Sequence, residues 1–245
     1  MFNRWFLLTV GILTIGSLVL AIWLDTREVS ERHDTPAIEN NVMTGSAGQG
    51  EAQAELHASD HDRLSYVRDV LDTLQNQRAR LPYYGELIRI YSNAGIFEQA
   101  ADWAHRRALL TDYVGDWKEA GSFYLEALRT GYDEEHREEM ASQALNMYDN
   151  ARENDPDNPD ILTDLSVVHM VMLKPERSYQ LLIEVLDSHP DHLRANFNIG
   201  VLLHQMGNAG QSVAFLNKSL ALADDSEWEE VIQSYLDRHH DEIYH

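Results

Sequence analysis

Apolar residues follow three different rules along this chain. From Trp5 to Trp23 they are interrupted only by Thr, Gly and Ser, with no charged side chain among nineteen positions. From 25 to about 58 aliphatic residues are sparse and show no helical stripe, and the run Gly45-Ser46-Ala47-Gly48-Gln49-Gly50 falls there. Beyond residue 60 they recur at three- and four-residue spacing, in blocks separated by short polar, Gly or Pro breaks. That spacing places them on one face of successive helices. The pattern predicts an all-α domain over 59–245, preceded by a linker over 25–58 and an apolar segment over 1–24.

The helical blocks repeat. Pro156 and Pro190 are 34 residues apart, and in that register 159–192 matches 193–226: Leu165-Ser166 answers Ile199-Gly200, His169 answers Leu203, Ser178 answers Ser212 and Leu182 answers Leu216. The same frame at 81–114 gives Tyr84, Leu87, Tyr91, Gly95, Ala100, Ala104 and Ala108. Each unit is a helix, a short break and a second helix, which cannot bury its apolar face alone and must stack.

The stretch 115–158 is irregular. Its spacing fits two lengthened helices, roughly 115–130 and 134–153, joined at Gly131-Tyr132; two degenerate repeats each lacking a helix fit it too. At the ends, Asp60 can cap a helix over about 61–78 that turns Leu64, Val67, Leu71 and Leu74 to one side. Ser226 and Glu229 open a capping helix over 227–239, whose Trp228, Val231, Ile232, Tyr235 and Leu236 can cover the open end of the stack.

This grammar resembles the tetratricopeptide repeat family. Trp117, Ala120, Gly121 and Tyr124 fall on its Trp-x2-Leu-Gly-x2-Tyr signature, with Ala in the Leu place, and Ala144, Tyr148, Ala151 and Pro156 match its second half. Gly121, Gly200 and Ala100 then stand where two helices cross, and Pro156 and Pro190 follow second helices that they cannot continue. The resemblance implies an α-solenoid of antiparallel helix pairs whose first helices line a concave groove.

Its groove positions map onto Asp160, Thr163, Asp164, Val167, Met170 and Val171 in the third unit. In the fourth they are Arg194, Phe197, Asn198, Val201, His204 and Gln205; the first unit contributes Glu86, Arg89, Ser92 and Asn93. The apolar stripe Val167, Met170, Phe197 and Val201 suits an amphipathic helix or an extended apolar peptide of a protein partner. The same residues could instead pack against neighbouring helices or the C-terminal cap. Thr163 and Phe197 stand where the family's carboxylate clamp has a Lys, so that activity is not expected.

Composition narrows the function. Nineteen Lys and Arg against 41 Asp and Glu give a net charge of −22, so nucleic acid is not an expected partner. With no Cys there are no disulfides, thiolate metal sites or thiol nucleophiles. His57 and His61, His189 and His192, and His239, His240 and His245 are the candidate metal ligands, but they lie in the linker, in a turn or in the tail. Ser122 sits inside a helix rather than on a strand-to-helix elbow, and no Gly-Lys-Ser/Thr phosphate loop exists. The expectation is a protein that is not an enzyme, with no metal and no cofactor.

The segment 5–24 would span roughly 28 Å as a helix, about the hydrocarbon thickness of a bilayer. It is read as an uncleaved single-pass anchor, with a cleavable signal peptide as the alternative. The linker would reach roughly 30–35 Å on average. The expected place is the bacterial inner membrane with the C-terminal domain in the periplasm. This layout looks like that of the membrane-anchored repeat proteins of cytochrome c maturation. The expected role is an adaptor or assembly factor binding a protein or peptide; a permanent structural subunit is the alternative, and end-to-end stacking would permit a homo-oligomer.

Overall fold

The computed structural model describes residue 56 and residues 58–240, apart from Tyr132 and Asp225. The apolar segment 5–24, most of the linker, His57 and His245 lie outside the described residues. Among those described, ten α-helices and one 3-10 turn form the chain, with no strand. They are α1 (Ala58–Thr73), α2 (Leu81–Asn93), α3 (Phe97–Thr111), α4 (Val114–Thr130), α5 (Glu134–Asn154), α6 (Pro159–Val171), α7 (Pro175–Ser188), α8 (Leu193–Gln205), α9 (Ala209–Leu222) and α10 (Ser226–Arg238). No described helix is long and apolar enough to cross a membrane.

The four pairs α2/α3, α4/α5, α6/α7 and α8/α9 are the four units, each helix packing on its sequence neighbour. Three of the turns inside the pairs are built alike. The backbone goes left-handed at Gly95 (φ 71°), Leu173 (φ 54°) and Gly207 (φ 76°). The next amide then reaches back to a carbonyl five residues earlier: Ile96 N to Tyr91 O (2.9 Å), Lys174 N to His169 O (2.9 Å) and Asn208 N to Leu203 O (2.8 Å). This closes the first helix and reverses the chain. Glycine takes that conformation freely, whereas a residue with a Cβ costs about 1–2 kcal/mol there. Leu173 is the exception among the three.

The irregular stretch is one long pair. α4 has 17 residues and α5 has 21, against 13 to 15 in the helices of the other units. The connection is still three residues long, and Asp133 caps α5 by accepting a hydrogen bond from His136 N at 2.8 Å. α4 and α5 pack against each other more extensively than any other pair, which excludes two half-repeats.

Where the two helices of a pair cross, side-chain sizes alternate. Gly121 lies under Tyr148, so a Cβ on it would stand 2.9 Å from the ring, and a Cβ on Gly200 would stand 2.8 Å from Leu216 Cγ. In the first unit the corresponding residues are Ile88 and Ala104, both buried. A large residue on one helix therefore answers a small one on the other, and the crossing stays close-packed in either order.

At the N-terminal end, Leu64, Val67 and Leu71 of α1 are buried against Tyr84, Leu87, Ile90 and Tyr91 of α2. The helix ends at Thr73, five residues before the expected end. Asn76 Oδ1 accepts from Arg78 N (2.9 Å), and Leu74 O accepts from the Arg80 guanidinium at 2.8 and 3.2 Å. These side-chain bonds offer the backbone an alternative to continuing the helix. Asp60 lies in the first turn instead of at the cap.

Candidate partner-binding surface

The first helices of the last three units lie side by side, α4 next to α6 and α6 next to α8. Charges tie them together. Asp160 of α6 sits 3.5 Å from Lys118 Nζ of α4, 3.2 Å from His192 Nε2 and 3.6 Å from an Arg194 nitrogen of α8. The Arg194 guanidinium also pairs with Asp164 one helical turn further on. The hydrogen bond from His192, with Lys118 and Arg194 beside it, holds the Asp160 carboxyl well below the usual carboxylate range. Burial pushes Asp164 the other way, upward, against the pull of Arg194. Asp160 and Asp164 together with Arg194 thus stitch two units through a contact that is largely buried at Asp164 and partly open at Asp160 and Arg194.

His192 does two jobs. Its Nδ1 accepts from Ala195 N at 3.1 Å and so caps α8, which leaves Nε2 to donate to Asp160. That assignment fixes the tautomer. The residue weighed from sequence as a metal-ligand candidate is a helix cap here.

The structure divides the sequence-derived groove residues into two groups. Val167, Phe197, Asn198 and Val201 are buried, Phe197 at 1% exposure. Asp164, Met170, Val171, Arg194 and His204 are half-buried, and Gln205 is exposed. The expected open apolar stripe is covered, and α10 covers its C-terminal part. The Phe197 ring meets Trp228 and Tyr235 edge-on, at centroid distances of 5.9 and 5.8 Å. His204 Nδ1 lies 2.7 Å from the Tyr235 hydroxyl, with the His239 ring 4.9 Å away.

The match is one of spacing. Phe197 and His204 are seven apart on α8, and Trp228 and Tyr235 are seven apart on α10, two turns in each case. α10 thus runs alongside α8 in the same sense and also packs on α9. It takes the place that the first helix of a further unit would take. Its exposed side carries Glu227, Glu229, Glu230 and Asp237, which closes the stack with charge.

Sequence reasoning missed Leu173. Aligning the units could have found it, since Leu173 is the fifteenth residue of its unit, where the first and fourth units have Gly95 and Gly207.

No protein-family model matches the chain, and no curated protein matches it in sequence. Among solved structures, a thermophilic TPR protein of Thermus thermophilus aligns at 18% identity over 73% of this chain and 94% of its own, with a TM-score of 0.55. MamA aligns at 17% identity over 74% of this chain and 99% of its own, with a TM-score of 0.48. PilF of Pseudomonas aeruginosa aligns at 18% identity over 67% and 71%, with a TM-score of 0.47. The Thermus likeness joins the helix order, the turns and the crossing pairs in showing a tetratricopeptide-type α-solenoid.

Proposed function

We propose that the chain is a membrane-tethered interaction adaptor, held in the bacterial inner membrane by residues 5–24, with its solenoid on the periplasmic side taking a helix or peptide of a partner protein. The observation that carries the binding part is the side-by-side row α4, α6 and α8, locked by Asp160, Asp164 and Arg194, with Met170, Val171 and Gln205 accessible at the row's far end. A rigid row of parallel helices presents its side chains at fixed spacing, which lowers the ordering cost of binding an extended or helical ligand. The tether is supported by the uncharged stretch flanked by Trp5 and Trp23. A catalytic role has no residue to carry it among those described, and no described residue is diagnostic of haem handling, so a place in cytochrome c maturation rests on layout alone.

The test is gentle detergent extraction of the full-length protein from its own membranes, beside a Val171→Glu/Gln205→Glu variant. The expected result is a defined partner that co-purifies with the parent, is lost from the variant and is accompanied by no change in melting midpoint. A partner kept in fixed ratio by both forms would mean a structural subunit docking through another face.

A further inference from the structure

We infer that the α6–α7 turn, centred on Leu173, is a docking point for an acidic segment of a protein partner that carries an apolar side chain beside its carboxylates. This rests on the reading of the chain as an interaction scaffold, but it uses a different surface from the row of first helices.

Three observations converge on the turn. Leu173 holds a left-handed backbone that the equivalent turns give to Gly95 and Gly207. Its side chain is 67% exposed among the described residues. A conformation that favours glycine is thus spent on a large apolar residue aimed at solvent. Met172 beside it is only partly covered, and Met206 stands at the matching place in the next turn. Unbranched thioether side chains adapt to more than one partner shape.

The third observation is charge. Lys174 and Arg177, both exposed, follow Leu173 at the start of α7. Neither has a carboxylate within ion-pair distance among the described residues. Arg177 reaches only Gln180, at 3.4 Å. Burial first, and then Arg177 and Lys174, lower the His169 pKa, with Asp149 opposing them. One carboxylate, Glu176, shares the segment and leaves it with a surplus of one positive charge. A ligand that buries Leu173 and presents carboxylates to Lys174 and Arg177 satisfies both features together. An anionic lipid surface would meet the same two cations, but a flat surface would also confront the exposed carboxylates around the turn, whereas a peptide segment can contact the turn alone.

The test pans random peptides displayed on phage against the full-length chain in mild detergent, with counter-selection on Leu173→Gly. Fluorescence anisotropy of the enriched peptides then compares the parent with Leu173→Gly and Lys174→Glu/Arg177→Glu. Enriched peptides should pair Leu, Met or Phe with Asp or Glu, and each variant should bind them about tenfold more weakly. Leu173→Gly should melt no lower than the parent. The inference is overturned if that variant melts lower, because Leu173 then serves the fold. It is also overturned if the enriched peptides are basic, or if phosphatidylglycerol vesicles sediment the parent but not Leu173→Gly. Peptides that ignore Leu173 but are lost in Val171→Glu/Gln205→Glu would refute this site and leave the adaptor reading standing. No enrichment at all would remove both.

Discussion

The third and fourth units share length, register and turn geometry, yet they differ at almost every position where stacking leaves a choice. At the crossing, Gly200 lets α8 and α9 approach until Ser212 Oγ donates to the Gly200 carbonyl at 2.8 Å. In the third unit Ser166 fills the same position, and Ser178, the counterpart of Ser212, is buried without a partner. At the fifth place of the first helix, Thr163 bonds back to Pro159 O (2.7 Å) under α8, whereas Phe197 meets the rings of α10. Positions inside a pair are thus set by volume and by the hydrogen bond that close approach permits, and positions between units by whatever helix comes next. A stack can tolerate wide sequence divergence while each boundary stays individual.

The boundary with α10 should be the most sensitive point. Phe197→Glu buries a charge among Trp228 and Tyr235, and the expected loss is about 3–5 kcal/mol in urea unfolding followed by circular dichroism. Thr163→Val, at the matching place, should lie within about 1 kcal/mol of the parent. Parent-like stability for Phe197→Glu would show that α10 does not sit on α8 in solution.

The next boundary inward is polar. Arg194→Ala leaves Asp164 buried without its cation and should cost about 2–3 kcal/mol, less than a fully buried pair because the Arg194 side chain is 32% exposed. Adding Asp164→Asn should recover part of the loss, and a double variant no better than the single one would dissolve the coupling. Within the pair, Gly200→Ala should cost about 1–3 kcal/mol, since the new Cβ meets Leu216 and parts Ser212 from its acceptor. Ser166→Ala should be milder, and equal losses at the two positions would mean that the crossings are equally tight after all.

The smallest difference has a pH signature. His169 stands where the fourth unit has Leu203; burial holds its pKa below the ordinary value, and its Nδ1 is enclosed without a partner. A neutral folded histidine contributes fully above the unfolded pKa of about 6.5, and that contribution fades as the pH falls through it, because the unfolded chain takes the proton first. His169→Leu should therefore raise stability by up to about 1 kcal/mol near neutrality and flatten the decline between pH 7 and 5. An unchanged slope in unfolding experiments across that range would assign the decline to other groups.

The regular units and the presence of an end helix on each side could be read from the chain, because apolar spacing and turn residues are local and the 34-residue period aligns them. The irregular stretch left two readings, of which the structure shows the lengthened pair. Coverage could not be read. An apolar stripe such as Val167, Phe197 and Val201 looks the same whether its neighbour is another helix of the chain or a partner. Only the placement of Trp228 and Tyr235 shows that α10 lies over Phe197. The cap at His192 and the early end of α1 escaped for a related reason. Each depends on one side chain competing for a backbone group, and no periodicity records that.

The middle pair shows how such an array can grow. Relative to the fourth unit, α4 is longer by four residues and α5 by seven, close to one and two full helical revolutions. The added segments lie next to the hairpin tip, and Ala127, Leu128, Met140 and Ala141 there remain buried in line with Tyr124 and Ala144. Growth by whole revolutions keeps every face in angular phase, so the hairpin can lengthen outward while the joints to its neighbours stay as they were. An insertion of two or five residues would instead rotate one face out of the core. Lengthening by whole turns is thus a permitted step for this architecture, and it supplies extra surface at the tip without re-patterning the stack beneath.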